Sequence, residues 1–114
     1  MSVDLREIPR RGWDPLPDEG CIGVAGRVLV REEGFFVAEL RFDEHATINE
    51  HPGERDTIVV CLAGEGFTSV GDAVTHLREE QQVRWPKGIR HRLWTEASTM
   101  TTLMVEGTPV HFDA

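Results

Sequence analysis

The stretch Trp85–His91, which reads WPKGIRH, decides the fold of this 114-residue chain. Proline fixes the backbone φ angle and lacks an N–H donor, whereas glycine permits positive φ. Pro86 and Gly88 therefore predict a sharp turn between two apolar runs. His91 follows that turn at the start of a new strand, so its side chain has a defined direction.

Outward from this turn, the chain has the rhythm of an all-β protein. Short runs rich in Val, Ile, Phe, Leu and Thr are separated by Gly, Asp, Glu or Pro at intervals of about 8 to 12 residues, without helical periodicity from Cys21 onward. This pattern predicts strands over residues 22–31, 35–42, 47–50, 57–62, 66–70, 73–77, 82–85, 90–95 and 101–106. Residues 64–66 are interpreted as a hairpin turn. Many short antiparallel strands must hide their sheet edges, which favours a double-sheet jelly roll.

Two sequence motifs resemble those of the cupin superfamily. The spacing Pro86-x-Gly88-x-x-His91 is similar to the second cupin motif, in which the histidine points into a small β-barrel and ligates a metal. Residues 51–66 are similar to the first motif, and the whole resemblance covers residues 35–106. It implies a double-stranded β-helix, or jelly-roll, barrel.

The first motif is incomplete in this chain. With Gly64 aligned, His51 stands at the first histidine of the family, but Gly53 stands at the second and Thr57 at the glutamate. In the second motif, Thr95 stands where the family has its trailing asparagine. Two of the three ligands of the first motif are therefore missing.

The resemblance also suggests a domain plan and an assembly. The barrel domain is expected at residues 21–114, after an irregular arm at residues 1–20. Trp13 in the arm is expected to pack on the barrel or on a neighbouring subunit. Because single-domain cupins usually pair, and because apolar bulk exceeds what one small barrel must bury, a homodimer is predicted. This bulk lies at Trp13, Val28, Val30 and Trp94.

His51 and His91 are the residues that the resemblance assigns to a metal. Stable divalent sites normally take three or four protein ligands, so a third ligand must come from elsewhere. A one-residue register shift would turn Asp56 inward, and we predict that Asp56 completes a two-histidine, one-carboxylate face for Fe, Mn, Ni or Zn. Glu54 in the same loop is one alternative. Cys61 is another, because a thiolate binds soft metals well.

Two classes of function follow from these residues. In the first, the barrel binds a small organic molecule in its lumen and is a divalent-metal-dependent enzyme of the dioxygenase, isomerase or decarboxylase type, as the resemblance implies. In the second, His51 and His91 are neutral, hydrogen-bonded residues that line the pocket of a non-catalytic metabolite-binding or structural dimer. Metal analysis of protein purified without chelator separates the two classes.

The other histidines are interpreted as exposed structural residues. His45 is expected in a turn, His76 in a hairpin strand and His111 in the C-terminal tail. Four arginines are candidates for fixing an anionic substrate, because guanidinium groups bind carboxylates in a bidentate manner. They are Arg41, Arg84, Arg90 and Arg92.

Strand parity assigns directions to the residues around His91. Arg90 and Arg92 have the opposite parity to His91, which points them towards solvent or a partner subunit. Trp94 is also out of phase with His91 and is expected to pack between sheets or subunits, whereas Trp85 is expected at the pocket or in the core.

Composition and charge bound the partners and the compartment. The formal net charge of −8 and a pI near 5.0 argue against a polyanion-binding surface, so nucleic acid is not an expected partner. No apolar run approaches the roughly 20 residues of a membrane helix, and the charged N-terminus does not resemble a secretory signal. A cytoplasmic location, with Cys21 and Cys61 as free thiols, is therefore expected.

Overall fold

The computed structural model describes residues 3–9, 12–17 and 19–107, so His111 lies outside the described residues. The predicted all-β class is confirmed in this part of the chain, and it contains no helix that could cross a membrane. The strands are β1 (Asp14–Pro15), β2 (Ile22–Glu32), β3 (Phe35–Pro52), β4 (Thr57–Val70), β5 (Ala73–Arg78), β6 (Gln82–Trp85), β7 (Arg90–Trp94) and β8 (Met100–Gly107).

Four of these strands close a ring. Strand β3 pairs with β7, β7 with β4, β4 with β8, and β8 with β3, and every pair is antiparallel. Strands β2 and β1 continue from β3, whereas β5 and β6 pair with β4. This closure gives each ring strand a partner on both sides, so the predicted jelly-roll barrel is confirmed.

Strands β3 and β4 are long because each continues through a bend at which its pairing partners change. The first part of β3 pairs with β2 and β8, and its last part pairs with β7. In the same way, β4 pairs with β6 and β8 before its bend and with β5 and β7 after it. The predicted strand ends at residues 42 and 62 are wrong, because positive-φ residues bend the chain there without ending the strand. They are His45 (φ 55°) and Gly64 (φ 74°).

The segment between β7 and β8 fills the space between these two bends. The Glu96 carbonyl accepts a hydrogen bond from the N–H of His45 (2.9 Å), and the Thr99 carbonyl accepts one from the N–H of Glu65 (3.3 Å). A Cβ atom at Gly64 would overlap the Thr99 carbonyl. Glycine at this bend therefore permits both the positive φ and the close approach of the two backbones.

Thr95 joins the same segment to the bend of β3. Its side chain is buried, and its hydroxyl donates to the Asp43 carbonyl and accepts from the N–H of Ala46 (3.0 Å). The Thr95 N–H donates in turn to the Ala46 carbonyl (2.9 Å). Backbone groups that the bend removes from the sheet ladder are thus paired here.

The N-terminal arm is less irregular than predicted, because residues 14 and 15 form β1 against β2. The expected packing of Trp13 on the barrel is confirmed. The guanidinium carbon of Arg41 lies 3.7 Å from the centre of the Trp13 ring, and that of Arg27 lies 5.0 Å from it. A cation over an aromatic face stabilises such a contact by about 0.5–1 kcal/mol at exposed sites.

Candidate functional site

A cavity of about 520 Å³ lies where β3 ends and β7 begins. Its apolar wall consists of Ile48, Pro52, Trp85 and Met104. Its polar wall consists of His51, His91, Glu54, Thr57 and Glu106, and Gly53 completes the lining. A cavity of this size with a few convergent polar groups is typical of a small-molecule site.

Antiparallel pairing brings the two predicted histidines together from positions 40 residues apart. His51 on β3 lies directly opposite His91 on β7. The register between these strands shifts after Ile48, which pairs with Leu93, so β3 contains one extra residue before His51. Such a β-bulge re-aims the side chains that follow it. Because of the bulge, Ile48 and His51 both line the cavity despite their odd spacing.

The two imidazole rings form a directly contacting pair. Their Nε2 atoms lie 3.3 Å apart, with ring centres 4.5 Å apart and planes at 70°. The Nδ1 atom of His51 lies 2.8 Å from the Asn49 carbonyl, which can only accept a hydrogen bond. We therefore assign the proton of neutral His51 to Nδ1, which leaves its Nε2 as the acceptor for the Nε2–H of His91.

His91 is held neutral by its surroundings. Burial, and secondly the neighbouring His51, lower the pKa of His91 from 6.5 to about 4, against a smaller raising effect of the Ile89 carbonyl. No hydrogen bond of good geometry joins the buried Nδ1 of His91 to a described residue. The assigned tautomer leaves a lone pair on this nitrogen.

Trp85 fixes the plane of the His91 ring. The two rings are stacked, with centres 4.0 Å apart and planes at 9°. The Trp85 Nε1–H donates to the Thr68 hydroxyl (3.0 Å), which donates to the Arg92 carbonyl (2.9 Å). The side chains of Trp85 and Thr68 are both buried. This chain of hydrogen bonds explains why the indole has one orientation at the site.

Gly53 is a site residue whose structural role the sequence analysis misses. A Cβ atom at this position would lie 2.9 Å from Cε1 of His91, so any other side chain would push the imidazole away. The Gly53 carbonyl also accepts a hydrogen bond from the N–H of Gly88 (2.9 Å) in the Pro86–Ile89 turn. The signal was the presence of glycine where the family motif has its second histidine.

Asp56 is placed at the turn and not at the histidine pair. Its Oδ1 accepts a hydrogen bond from the N–H of Lys87 (2.8 Å), and Asp56 does not line the cavity. The register shift that would turn it inward is absent, because Thr57 is buried and lines the cavity at the start of β4. Val59 and Cys61 continue that buried face. Asp56 therefore anchors the turn that presents His91.

The two alternative third ligands also have defined places. Glu54 is exposed and lines the cavity. Cys61 is buried and does not line the cavity, and its thiol approaches the carbonyls of Ala63 (3.6 Å) and Gly64 (3.4 Å). Burial raises the pKa of the Cys61 thiol, which disfavours a thiolate.

The two imidazoles do not form a complete metal site with the other described residues. Their Nε2 separation of 3.3 Å is close to that of two nitrogen ligands about 2.0–2.1 Å from one tetrahedral ion. Across residues 3–9, 12–17 and 19–107, however, no three His, Cys, Asp or Glu side chains are grouped to hold a metal ion. The metal set of His51, His91 and Asp56 stays a prediction, and the structure brings only its two histidines together.

The candidate anion-binding arginines lie away from the cavity. Arg41 covers Trp13, and Arg92 covers Trp94, at 4.4 Å from its ring centre. Arg90 bridges the carboxylates of Glu50 (3.0 Å) and Asp72 (3.1 Å). Arg84 is exposed on β6 and does not line the cavity.

Trp94 and His76 belong to an aromatic stack away from the cavity lining. Phe67 lies between them, with ring centres 4.7 Å from His76 and 5.8 Å from Trp94. Nδ1 of His76 accepts a hydrogen bond from Nε of Arg78 (3.2 Å). The stack joins neighbouring strands β5, β4 and β7, which stabilises the sheet through cross-strand contacts.

Comparison with solved structures defines the class of fold: the chain has the cupin fold. No protein-family model matches the chain, and no curated protein matches it significantly. The polyketide cyclase RemF from Streptomyces resistomycificus superposes with a TM-score of 0.79 at 17% identity, over 100% of this chain and 88% of that one. A cupin-2 domain from Rhodospirillum rubrum gives 0.75 at 16% identity, over 95% and 80%. A cupin-like protein from Thermotoga maritima gives 0.73 at 15% identity, over 95% and 83%.

Proposed function

We propose that this small cupin binds a small organic molecule in the cavity formed around His51 and His91. The observation that supports the proposal most directly is the contact between the two Nε2 atoms at the wall of a cavity of about 520 Å³. Apolar residues supply most of the burial energy of a small ligand, and a few polar groups orient it. The imidazole pair supplies those polar groups here.

The buried Nδ1 of His91 is an energetic cost that the fold carries at this site. A buried nitrogen without a hydrogen bond costs about 1–3 kcal/mol relative to a paired one. Local costs of this kind occur in proteins mainly at functional sites, which supports a ligand site here. RemF, a polyketide cyclase, shows that this fold can act on an organic substrate. At 17% identity the similarity supports a common scaffold for the present chain and not a common reaction.

A compound screen followed by NMR tests this function. Protein with ¹⁵N-labelled histidine is titrated with small aromatic and aliphatic alcohols, amines and acids. We expect binders to shift the imidazole signals of His51 and His91. His91→Gln should weaken such binding by about tenfold, as expected when an orienting hydrogen bond is lost, whereas His76→Gln away from the cavity should leave it unchanged. Binders that shift only other residues, or no binders at all, would contradict the proposal.

A divalent-metal-dependent enzyme is the second candidate, and the spacing of the two Nε2 atoms favours it. The number of ligands does not favour it, because no third His, Cys, Asp or Glu side chain of the described residues is grouped with the two histidines. Metal content of protein purified without chelator decides: about one Fe, Mn, Ni or Zn per chain, lost in His51→Ala and in His91→Ala, would support the enzyme. If Asp56→Ala retains the metal and Glu54→Ala loses it, Glu54 is the third ligand.

Assembly and location stay proposals of the same kind. A homodimer is supported by the apolar side chains left exposed, which include Ile22 and Val74. Trp13 and Trp94 support it less than expected, since each is covered by an arginine of its own chain. Light scattering at micromolar concentration measures the mass. The net charge of −8 supports the expectation that nucleic acid is not a partner, and a cytoplasmic location stays a proposal.

A further inference from the structure

We infer that the ligand of this cavity is a neutral or cationic molecule with an apolar, ring-sized body and at least one hydroxyl or amino group, and not a carboxylate or phosphate. The inference deepens the proposed function and rests on it. It follows from the charges that line the cavity, the positions of the arginines and the apolar wall.

The fixed charges on the cavity lining are negative. Among the described residues that line it, the ionisable ones are Glu54, Glu106, His51 and His91, and none is Lys or Arg. Neither glutamate forms an ion pair with another described residue. A ligand anion would approach two carboxylates that form no ion pair with another described residue, whereas a cation would be attracted by them.

The imidazole pair does not reverse this balance. The contact between the Nε2 atoms of His51 and His91 requires one nitrogen to donate a proton and the other to accept it. Two charged imidazoles would place two N–H groups against each other, so the paired arrangement carries at most one positive charge. The acceptors that a hydroxyl or amino group can use are the carboxylates of Glu54 and Glu106, which line the cavity.

The guanidinium groups that would bind an anion lie elsewhere. Arg90 is occupied by Glu50 and Asp72. Arg31 and Arg55 line a neighbouring groove that shares Glu54 and Glu106 with the cavity, but neither arginine lines the cavity itself. An anion in the cavity therefore meets the two carboxylates without a bidentate arginine partner.

The remaining wall determines the body of the ligand. Ile48, Pro52 and Met104 present apolar surface, and Met104 adapts to flat or irregular shapes because its side chain is unbranched. A volume of about 520 Å³ accommodates one ring with substituents. An aromatic alcohol or amine suits both the apolar wall and the carboxylate acceptors of Glu54 and Glu106.

Three probes of matched size test the inference: benzyl alcohol, benzylamine and benzoate. Each is titrated into chelator-treated protein at pH 7.5 while the imidazole signals of His51 and His91 are followed by NMR. We expect benzyl alcohol and benzylamine to bind at least about fivefold more tightly than benzoate, because like charges near a partly exposed site cost on the order of 1 kcal/mol. Glu54→Gln/Glu106→Gln should reduce that gap. Glu44→Gln/Glu96→Gln removes the same charge from exposed positions outside the cavity lining and should preserve it.

The outcomes separate this inference from the proposed function. If benzoate binds as tightly as the other probes or more tightly, the inference is wrong and the ligand site stands. If the gap persists in Glu54→Gln/Glu106→Gln, the carboxylates do not cause it and the inference is likewise wrong. If none of the three probes shifts the signals of His51 or His91 at millimolar concentration, both the inference and the proposed function fail.

Discussion

The two ends of strand β7 differ in how completely their buried polar groups are hydrogen-bonded. At its C-terminal end, the segment from Thr95 to Thr99 pairs the backbone groups freed by the bends of β3 and β4. At its N-terminal end, His91 lines the cavity and is equally buried, but its Nδ1 atom has no hydrogen bond to a described residue. The first arrangement stabilises the fold, and the second retains unused hydrogen-bonding capacity. The comparison teaches that hydrogen-bond pairing, rather than burial, distinguishes the structural end of β7 from the end proposed to bind a ligand.

The largest effect is expected from a side chain at the bend of β4. Gly64→Ala combines positive φ with an overlap between Cβ and the Thr99 carbonyl, so we expect a loss of about 4 kcal/mol in the free energy of unfolding. Gly88→Ala is the matched control, because Gly88 has a φ of 81° but no atom within 4 Å of the added Cβ. It should cost only about 1 kcal/mol. Equal losses in urea unfolding would show that close approach at the bend does not matter.

The next effect concerns pH at the other end of β7. The pKa of His91 is about 4 in the folded chain and 6.5 in the unfolded chain, so the unfolded chain takes up the proton first as pH falls. The contribution to stability is therefore fully present above pH 6.5 and is lost between pH 6.5 and 4, by on the order of 3 kcal/mol. Urea unfolding of the wild type and His91→Gln at pH 7.5 and 4.5 measures it. The variant should lose less stability on acidification, and His76→Gln should behave as the wild type; identical pH slopes in all three would refute the assignment.

Thr95 and Thr102 sharpen the comparison with one substitution at two buried hydroxyls. Thr95→Val leaves the Asp43 carbonyl and the Ala46 N–H without their partner and should cost about 2 kcal/mol. Thr102 is as buried, but its hydroxyl has no hydrogen-bond partner among the described residues. Thr102→Val should therefore be neutral or slightly stabilising. A similar loss of unfolding free energy from both variants in urea would contradict the stabilising role of the Thr95 hydrogen bonds.

The last effect concerns Gly53, where the expected change in stability is modest and the effect on the site is specific. Gly53→Ala places a Cβ atom 2.9 Å from Cε1 of His91, and small overpacking of this kind costs about 1 kcal/mol or more. We expect the imidazole to move out of its stack with Trp85 and the pKa of His91 to rise towards 6.5. Gly12→Ala adds a Cβ with no atom within 4 Å and serves as control. An unchanged pKa of His91 in an NMR titration would show that Gly53 does not position it.

The barrel and the histidine pair can be predicted from the sequence, but the local backbone features that orient the side chains cannot. Strand runs, the Pro86–Ile89 turn and the motif spacing predict His51 and His91 on one face, which antiparallel pairing makes possible. The bulge before His51 has no sequence signature, since it depends on pairing with β7. Asp56 was expected inward because apolar residues on both faces of β4 leave its register open. Only the structure shows that Thr57 faces the cavity.

The prediction of strand ends at the two bends was wrong for a related physical reason. Glycine in a β-rich sequence indicates either a hairpin or a bend within a strand, and local sequence does not separate the two. At Gly64 the chain forms a bend within the strand, and not a hairpin, because the backbone of residues 95–99 packs and pairs there from a distant part of the chain. At His45 a positive φ is adopted by a residue other than glycine, which no pattern predicts.

The most direct test of the account is ¹⁵N NMR of the two imidazoles in metal-free protein at pH 7. We expect a neutral His91 ring with its proton on Nε2, a His51 proton on Nδ1 that faces the Asn49 carbonyl, and a ¹⁵N–¹⁵N coupling across the Nε2 to Nε2 contact of 3.3 Å. Addition of benzyl alcohol should shift both rings together. A charged His91 at pH 7, no coupling between the rings and no response to any small molecule would contradict the claim that this pair forms the binding site.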